Sequence, residues 1–515
     1  MASIITEKFR LASADAFKDS FSTDKYYVFI GKSQSWVSEG STSDTAIPNP
    51  VDSIKPEFLY HDDMLGAKLA GEGQTSFVTP RKNWSETTSY DMYRPDISGS
   101  VTSGSYPTKT TSSSGKNNLY NSDYYFATSA NRVYKVLYNG DPTQVGSSAI
   151  GGTEPESTSS TPFWNSTQTH YLKFMYDVDD LTNSSNFYVT DFMPVANITS
   201  GAVSTNNSVA DGAIHVFNVT NAGTNYPNGT YYVPVRGDGT TTAIIKLIVS
   251  GTSVQAFGPT DGTNSQMFNV GVGYRHASVD LSSTNIYTNS SLTTLISGST
   301  KTNWEAVSSA ASITPMVEPK GGHGFDTIKE LGGHYVMVYQ SFAPADTDIT
   351  QVNDFRRIGL IRNPNNSAGT VLTDSSARAT SAILLSGSIT TQYQPDEIIT
   401  QTNGANESAR GRVVEFDATN KLLFYVQENY SSYGLDANGD LNNFSGSGSV
   451  IGSTSGASYD VDTTSTSTVG TTSIVSGYGA SEIQKDSGDI IYVENRRSIQ
   501  RATDQTEQVR IVVEF

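Results

Sequence analysis

The stretch Asp486-Ser-Gly-Asp-Ile-Ile-Tyr-Val-Glu-Asn-Arg-Arg-Ser-Ile-Gln-Arg-Ala-Thr-Asp-Gln-Thr-Glu-Gln-Val-Arg-Ile-Val-Val-Glu-Phe515 reads as two strands framing a charged connector. Ile490, Tyr492 and Glu494 alternate with Ile491 and Val493, the two-residue period of a strand. Val509, Ile511, Val513 and Phe515 fall on one face of a second strand, opposite Gln508, Arg510 and Glu514. This reading places all four apolar residues in the core, in the sheet that carries Ile490 to Glu494, and ties down the chain end. The connector carries Glu494, Arg496, Arg497, Arg501, Asp504 and Glu507. Pairing Glu494 with Arg496 or Arg501, and Asp504 with Arg497, would give a buried bidentate network that sets register more than stability, because desolvation offsets the Coulomb gain.

The rest of the chain is equally strand-like. Only 36% of its 515 residues are hydrophobic and 16% charged, low for an ordinary enzyme, yet 28 Tyr and 21 Phe are too many for a disordered chain. Thr-, aromatic- and Gly-rich composition favours many short strands with tight turns. The fold class expected is mainly β, with β-sandwich-like domains, few short helices and inserted β-modules in a multi-domain chain. A net charge of −18 argues against nucleic acid or an anionic membrane as partner, since both select clustered Lys and Arg. With no cysteine there is no disulfide, thiolate metal site or thiol nucleophile. No apolar run reaches membrane-spanning length, so no membrane insertion is expected. The first residues carry no signal-peptide pattern, so synthesis is expected in the cytoplasm.

Along the chain, 5–18 is the best helix, with Thr6 as cap and Phe9, Ala12, Ala16 and Phe17 at helical spacing. Tyr26-Tyr-Val-Phe-Ile30 is a buried strand, followed by Gly31-Lys-Ser-Gln-Ser-Trp36 and the turn Ala46-Ile-Pro-Asn-Pro50. Asp62-Asp-Met-Leu-Gly-Ala-Lys68, Ser76-Phe-Val-Thr-Pro-Arg-Lys-Asn-Trp84 and Tyr90-Asp-Met-Tyr-Arg94 come next, then Asp123-Tyr-Tyr, Val133-Tyr-Lys-Val-Leu137, Tyr171-Leu-Lys-Phe-Met-Tyr176 and Asp191-Phe-Met-Pro-Val195. Gly321-Gly-His-Gly-Phe-Asp326 precedes Asp354-Phe-Arg-Arg-Ile-Gly-Leu-Ile-Arg-Asn-Pro364, a charged turn entering a buried strand that stops at Asn-Pro.

These ordered motifs, with Gly-Asp-hydrophobic-Tyr-x-Glu-Asn-Arg and Asp-Gln-Thr-Glu at the C-terminus, resemble the T4-type phage baseplate wedge protein, the gene product 8 family. The versions from T4-like phages of cyanobacteria are the most similar. The resemblance divides the chain into a wedge-protein block (1–200), an inserted β-module (201–285), a central wedge-protein block (286–365), a Ser/Thr/Gly-rich inserted β-module (366–480) and C-terminal strands that complete the core (481–515). Within the second insertion, 445–478 reads as a flexible surface excursion. Two positions depart from the family pattern: Ser498 stands where a proline is expected, and Leu172 where an aromatic is expected. The resemblance implies a late-made structural protein of a contractile-tailed phage, a homodimer that joins other baseplate wedge proteins in the virion and rearranges on host contact. A receptor- or carbohydrate-binding tail protein is the main alternative, and a β-rich glycan hydrolase with a carboxylate pair across a cleft is another.

The chemical candidates each have a bland reading. Six histidines (His61, His170, His215, His276, His323, His334) show no metal-ligand spacing, and His323 and His334 read as a turn and a strand residue. Asp62 and Asp63 read as a solvated turn rather than an acid–base pair. Asp436, Asn438 and Asp440 mimic half of a calcium loop, but Leu441 replaces its glycine and Ser447 its bidentate glutamate. Gly31-Lys-Ser33 lacks the upstream glycine and following helix of a phosphate loop. Asn228-Gly-Thr and Asn429-Tyr-Ser are glycan triplets only in a secreted eukaryotic chain. The expectation is no catalytic residue, no cofactor, no metal and no enzymatic activity.

Overall fold

The computed structural model describes residues 5–94, 114, 116, 119–140, 149–197, 211–343, 346, 348–349, 353–402, 408–427, 435, 440–502 and 504–515, side chains 54–56 excepted. The fold is mainly β, built from several antiparallel sheets with few short helices, in a multi-domain chain. Two units interleave in sequence: the first comprises 1–15, 76–337 and 513–515, the second 16–75 and 338–512.

In the first unit, Arg132–Tyr138 and Tyr171–Asp177 pair at the centre of a four-stranded sheet flanked by Tyr125–Ala127 and Phe163–Trp164. Strand Gly229–Gly237 shows the two-residue period directly: Tyr231, Val233 and Val235 are buried, while Thr230 and Arg236 are exposed. It pairs with Ile244–Ser250, and both bury their apolar face in a core shared with Phe217, Ile286 and Trp304. Val216–Asn221 pairs across the chain with Ser312–Met316. Helix Gly298–Glu305 seats Trp304 edge-on against Tyr226 and Tyr231, and its indole donates to the Leu281 carbonyl at 2.7 Å. Leu172, in the family's aromatic position, is fully buried among Tyr134, Phe163 and Phe174.

In the second unit, a five-stranded sheet runs in the order Ser376–Arg378, Met64–Ala70, Tyr26–Gly31, Phe355–Arg362, Asp489–Ile499. Tyr26–Gly31 is buried along its whole length, as a continuous apolar run requires of a central strand. Gly359 is the one residue that fits opposite it, because a Cβ there would lie 2.3 Å from the Phe29 ring and 2.7 Å from the Tyr492 carbonyl. Arg356 and Arg357, expected in a charged turn, are buried inside the strand; the stop at Asn363 is as expected, with Asn363 at φ 49° and its side chain accepting from Lys25 N at 2.8 Å.

A seven-stranded sheet within 381–479 has its own core around Ile383, Ile399, Val413, Leu423 and Val450. The expectation of a flexible excursion at 445–478 is corrected here. Ser449–Gly452 and Ser458–Asp460 belong to the sheet, Ser467–Val469 and Thr472–Ile474 form a hairpin, and Val450, Ala457, Val461 and Ile474 are buried. Small polar residues disguise these strands because only every second side chain faces the core.

The C-terminal reading is corrected in two respects. Strand Asp489–Ile499 absorbs half of the expected connector, and Glu507–Glu514 lies beside Tyr335–Phe342 in a different sheet. Val509 and Ile511 are buried, whereas Val513 and Phe515 are only half-buried; the chain end is nevertheless tied, with Phe515 N donating to the His334 carbonyl at 3.2 Å. The helix runs Glu7–Ser20 and Thr6 Oγ1 accepts from Phe9 N at 3.4 Å, but Phe9 points outward and Ala14 is the buried residue.

Candidate functional site

Two buried charge clusters dominate the polar interior. In the first unit, Lys135 sits mid-strand with no solvent exposure, where an unpaired ammonium would be expelled or neutralised. Its Nζ donates to Glu330 Oε2 at 2.7 Å and to His323 Nδ1 at 2.9 Å, and lies 3.6 Å from the Tyr93 ring centroid. The short helix Thr327–Glu330 delivers Glu330; Asp326 caps it, and the second Glu330 oxygen accepts from Gly324 N at 2.7 Å. Burial opposes ionisation of Glu330, yet Lys135 and His323 outweigh it and hold the carboxyl at about 2. Burial and the adjacent Lys135 push His323 down. Glu318 completes the cluster: burial works against its charge, but His323 and His215, the latter hydrogen-bonded through Nδ1, keep it low.

In the second unit, Arg357 is the hub. Its guanidinium donates to Asp63 Oδ2 at 2.5 Å, Glu39 Oε1 at 3.0 Å and Asn495 Oδ1 at 3.1 Å, and stacks on Tyr60 with 4.5 Å to the ring centroid. Glu39 also meets the fully buried Lys32 at 3.1 Å. Trp36 closes this cluster, its indole donating to the Arg496 carbonyl at 2.8 Å, while Asn495 Nδ2 donates to the Pro48 carbonyl at 2.9 Å. Apart from Lys32–Glu39, these contacts join segments distant in sequence. Their planar, forked geometry is that of a clamp.

The sequence candidates fall as follows. Asp62 and Asp63 are not a solvated turn: both are buried, Asp63 on Arg357 and Asp62 on Lys485 at 3.3 Å, with burial pushing Asp62 up. His323 is a turn residue as expected, and it is buried in the Lys135 cluster. His334 precedes strand Tyr335–Phe342 and meets Glu7 at 2.7 Å. His170 is fully buried and held by desolvation at about 4; His61 is also pushed down by burial, and His276 is exposed. Lys32 of Gly31-Lys-Ser33 is fully buried and meets Glu39. Asn228 accepts from Thr252 N at 2.9 Å in a turn. Asp436, Asn438 and Asn429 lie outside the described residues, whereas Asp440 is described.

The C-terminal charges divide differently from the expected network. Arg496 meets Glu494 at 2.9 Å on the surface, and the buried pair is Arg501 with Glu507 at 2.8 Å. Arg497 and Asp504 form no part of it, because residues 494–499 are extended and alternate in direction. Ser498, in the expected proline position, instead donates its hydroxyl to Asp354.

Lys135, Glu318, Glu330 and Arg357 were not singled out from sequence. The usable signal was a lone Lys inside Val133-Tyr-Lys-Val-Leu137 and the Arg pair inside a buried run, since charges in such places must be paired. Among the described residues no group of three or more His, Asp or Glu is arranged to hold a metal ion, and no helix is long and apolar enough to cross a membrane.

In this β-rich chain the buried charges join strands that are distant in sequence. The family model Phage-Gp8, described as Bacteriophage T4, Gp8, matches residues 3–122 and 460–515, about a third of the chain. No curated protein matches the chain. The motifs within 123–195 and 321–364 lie outside the matched blocks, and the second block begins at 460, inside the stretch expected as an insertion.

Proposed function

We propose that the chain works as a homodimeric wedge subunit that binds other baseplate wedge proteins and transmits the baseplate's rearrangement on host contact, with no catalytic step. The observation that supports this reading is the convergence of the two family-matched blocks on one clamp. Trp36, Glu39 and Asp63 come from the first block, Asn495 and Arg496 from the second, and Arg357 binds both. Such a rigid unit suits a part that moves as a body between two assembly states with different contacts. The isologous dimer is the expected closed form.

The five-part domain division remains part of the proposal. The self-contained sheet of 381–479 supports a separable module there, and the pairing of Val216–Asn221 with Ser312–Met316 suggests that the first module extends past 285. The proposal also takes the buried charges as structural rather than catalytic, holds that no nucleic acid is bound, and has the chain made in the bacterial cytoplasm of a contractile-tailed phage's host.

A tagged chain purified from phage-infected cells should bring down wedge proteins and scatter light as a dimer. A strict monomer at micromolar concentration would overturn the dimer, and recovery with glycans alone would favour the receptor-binding reading.

A further inference from the structure

Strand Asp489–Ile499 is the last strand of its five-stranded sheet. An edge strand presents alternate N–H and C=O groups to whatever lies beside it. Along residues 495 and 496 that neighbour is intramolecular, since Trp36 takes the Arg496 carbonyl and Pro48 the Asn495 side chain. Along Ile490–Val493 the edge instead lines a groove of about 350 Å³, whose opposite wall is the Pro50–Ser53 turn and the face of helix Ile54–Asp62 that carries Glu57 and Tyr60. The wall is fixed before any ligand arrives: the Tyr60 hydroxyl accepts from Val51 N at 3.0 Å and donates to its carbonyl at 3.1 Å, and the Tyr60 ring stacks on Arg357.

Two properties of the groove define what fits it. It is bordered by apolar side chains left in solvent, Val51 at 57% exposure and Ile491 at 40%, and the same helix exposes Phe58. Among the described residues its lining carries two carboxylates, Asp52 and Glu57, and no Lys or Arg. A gap between a strand edge and a helix, roughly four residues or about 13 Å long, has the shape that takes one added strand. We propose that this groove binds an extended segment of another protein, apolar at alternate positions and carrying Lys or Arg, as an additional strand antiparallel or parallel to Ile490–Val493. The proposal rests on the assembly-subunit reading and names the chemistry of one partner contact.

The test uses the full chain and a short fluorescein-labelled peptide alternating Lys with Val and Ile. Fluorescence anisotropy should show saturable binding, with new hydrogen-exchange protection at residues 490–493. The double substitution D52K/E57K, on the rim, should weaken binding about tenfold or more while leaving the melting temperature unchanged. A peptide N-methylated at alternate amides, which cannot complete a ladder, should not bind. Equal binding of the N-methylated peptide, equal binding of a Glu-for-Lys peptide, or no binding at millimolar peptide would each overturn the proposal. Light scattering that shows self-association abolished by D52K/E57K would also overturn it, by assigning the groove to a second copy. Because the peptide is tested on the isolated chain, its failure leaves wedge membership standing, whereas failure to recover wedge proteins from infected cells leaves peptide binding intact.

Discussion

Trp36 and Arg496 are joined across 460 residues of chain by a single hydrogen bond, indole N–H to backbone carbonyl, 2.8 Å long. Trp36 has no solvent exposure, so the indole makes this bond from inside the fold and its removal leaves a buried gap beside the carbonyl. W36F should cost about 2–4 kcal/mol, combining a lost buried hydrogen bond with a small cavity. Denaturant unfolding would measure it; a loss under about 0.5 kcal/mol would show that the two family blocks are held together elsewhere.

Arg357 and Asp63 are both almost fully buried. Removing one partner of such a pair strands the other charge, so R357M should destabilise by about 3–5 kcal/mol and D63N by less. In the double variant R357M/D63N the two losses should fall short of additive, because the stranded carboxylate is gone. Strict additivity in a double-mutant cycle would mean that the contact carries no coupling.

Acid should weaken the first unit in two stages. His170 is pushed from the usual 6.5 down to about 4 by burial, so its neutral form favours the fold at and above pH 6.5. That contribution, at most about 3 kcal/mol, is lost as pH falls from 6.5 towards 4. Glu330, held at about 2, favours the fold above the ordinary carboxylate range, and its contribution is lost as pH falls from about 4.5 towards 2. Melting temperature against pH should therefore decline through both windows, and H170Q should flatten the upper one. An unchanged upper slope in H170Q would remove His170 as its source.

Residues 381–479 should be removable. Ala382 pairs directly with Gly479, so the ends of the segment are adjacent and a short Gly-Ser linker can close the gap. The shortened chain should unfold cooperatively with a modest loss, since Asn353 and Arg378 forfeit contacts to Val414, Glu415 and Phe424. Loss of cooperative unfolding would show that the module is integral to the second unit.

Truncation after Gln508 removes Val509 and Ile511, each worth roughly 1.5–3 kcal/mol of burial as an upper estimate. Against a typical net stability of about 5–15 kcal/mol, insoluble or unassembled protein is expected. A truncated chain with unchanged melting temperature would make the terminal strand peripheral.

The strands were legible where periodicity is strong. Tyr26–Gly31, Tyr171–Asp177 and Asp489–Val493 follow from apolar runs and alternation. What failed was strand pairing: nothing in Val509-Arg-Ile-Val-Val513 says which sheet it joins, because any exposed edge with the right face satisfies its pattern. The Ser/Thr-rich strands of 449–474 were missed because one buried residue in two is too sparse a signal. The buried clusters were invisible for a related reason: Lys135 meets Glu330 over 195 residues, and Arg357 meets Asp63 over 294. Sequence shows a charge in an apolar run; only the folded chain supplies its partner.

The most direct measurement is quantitative mass spectrometry of baseplates isolated from purified virions. A wedge subunit should appear in them in fixed stoichiometry with the other wedge proteins. Its absence from baseplates, with recovery only in detached fibres or in the soluble fraction of infected cells, would contradict the assignment.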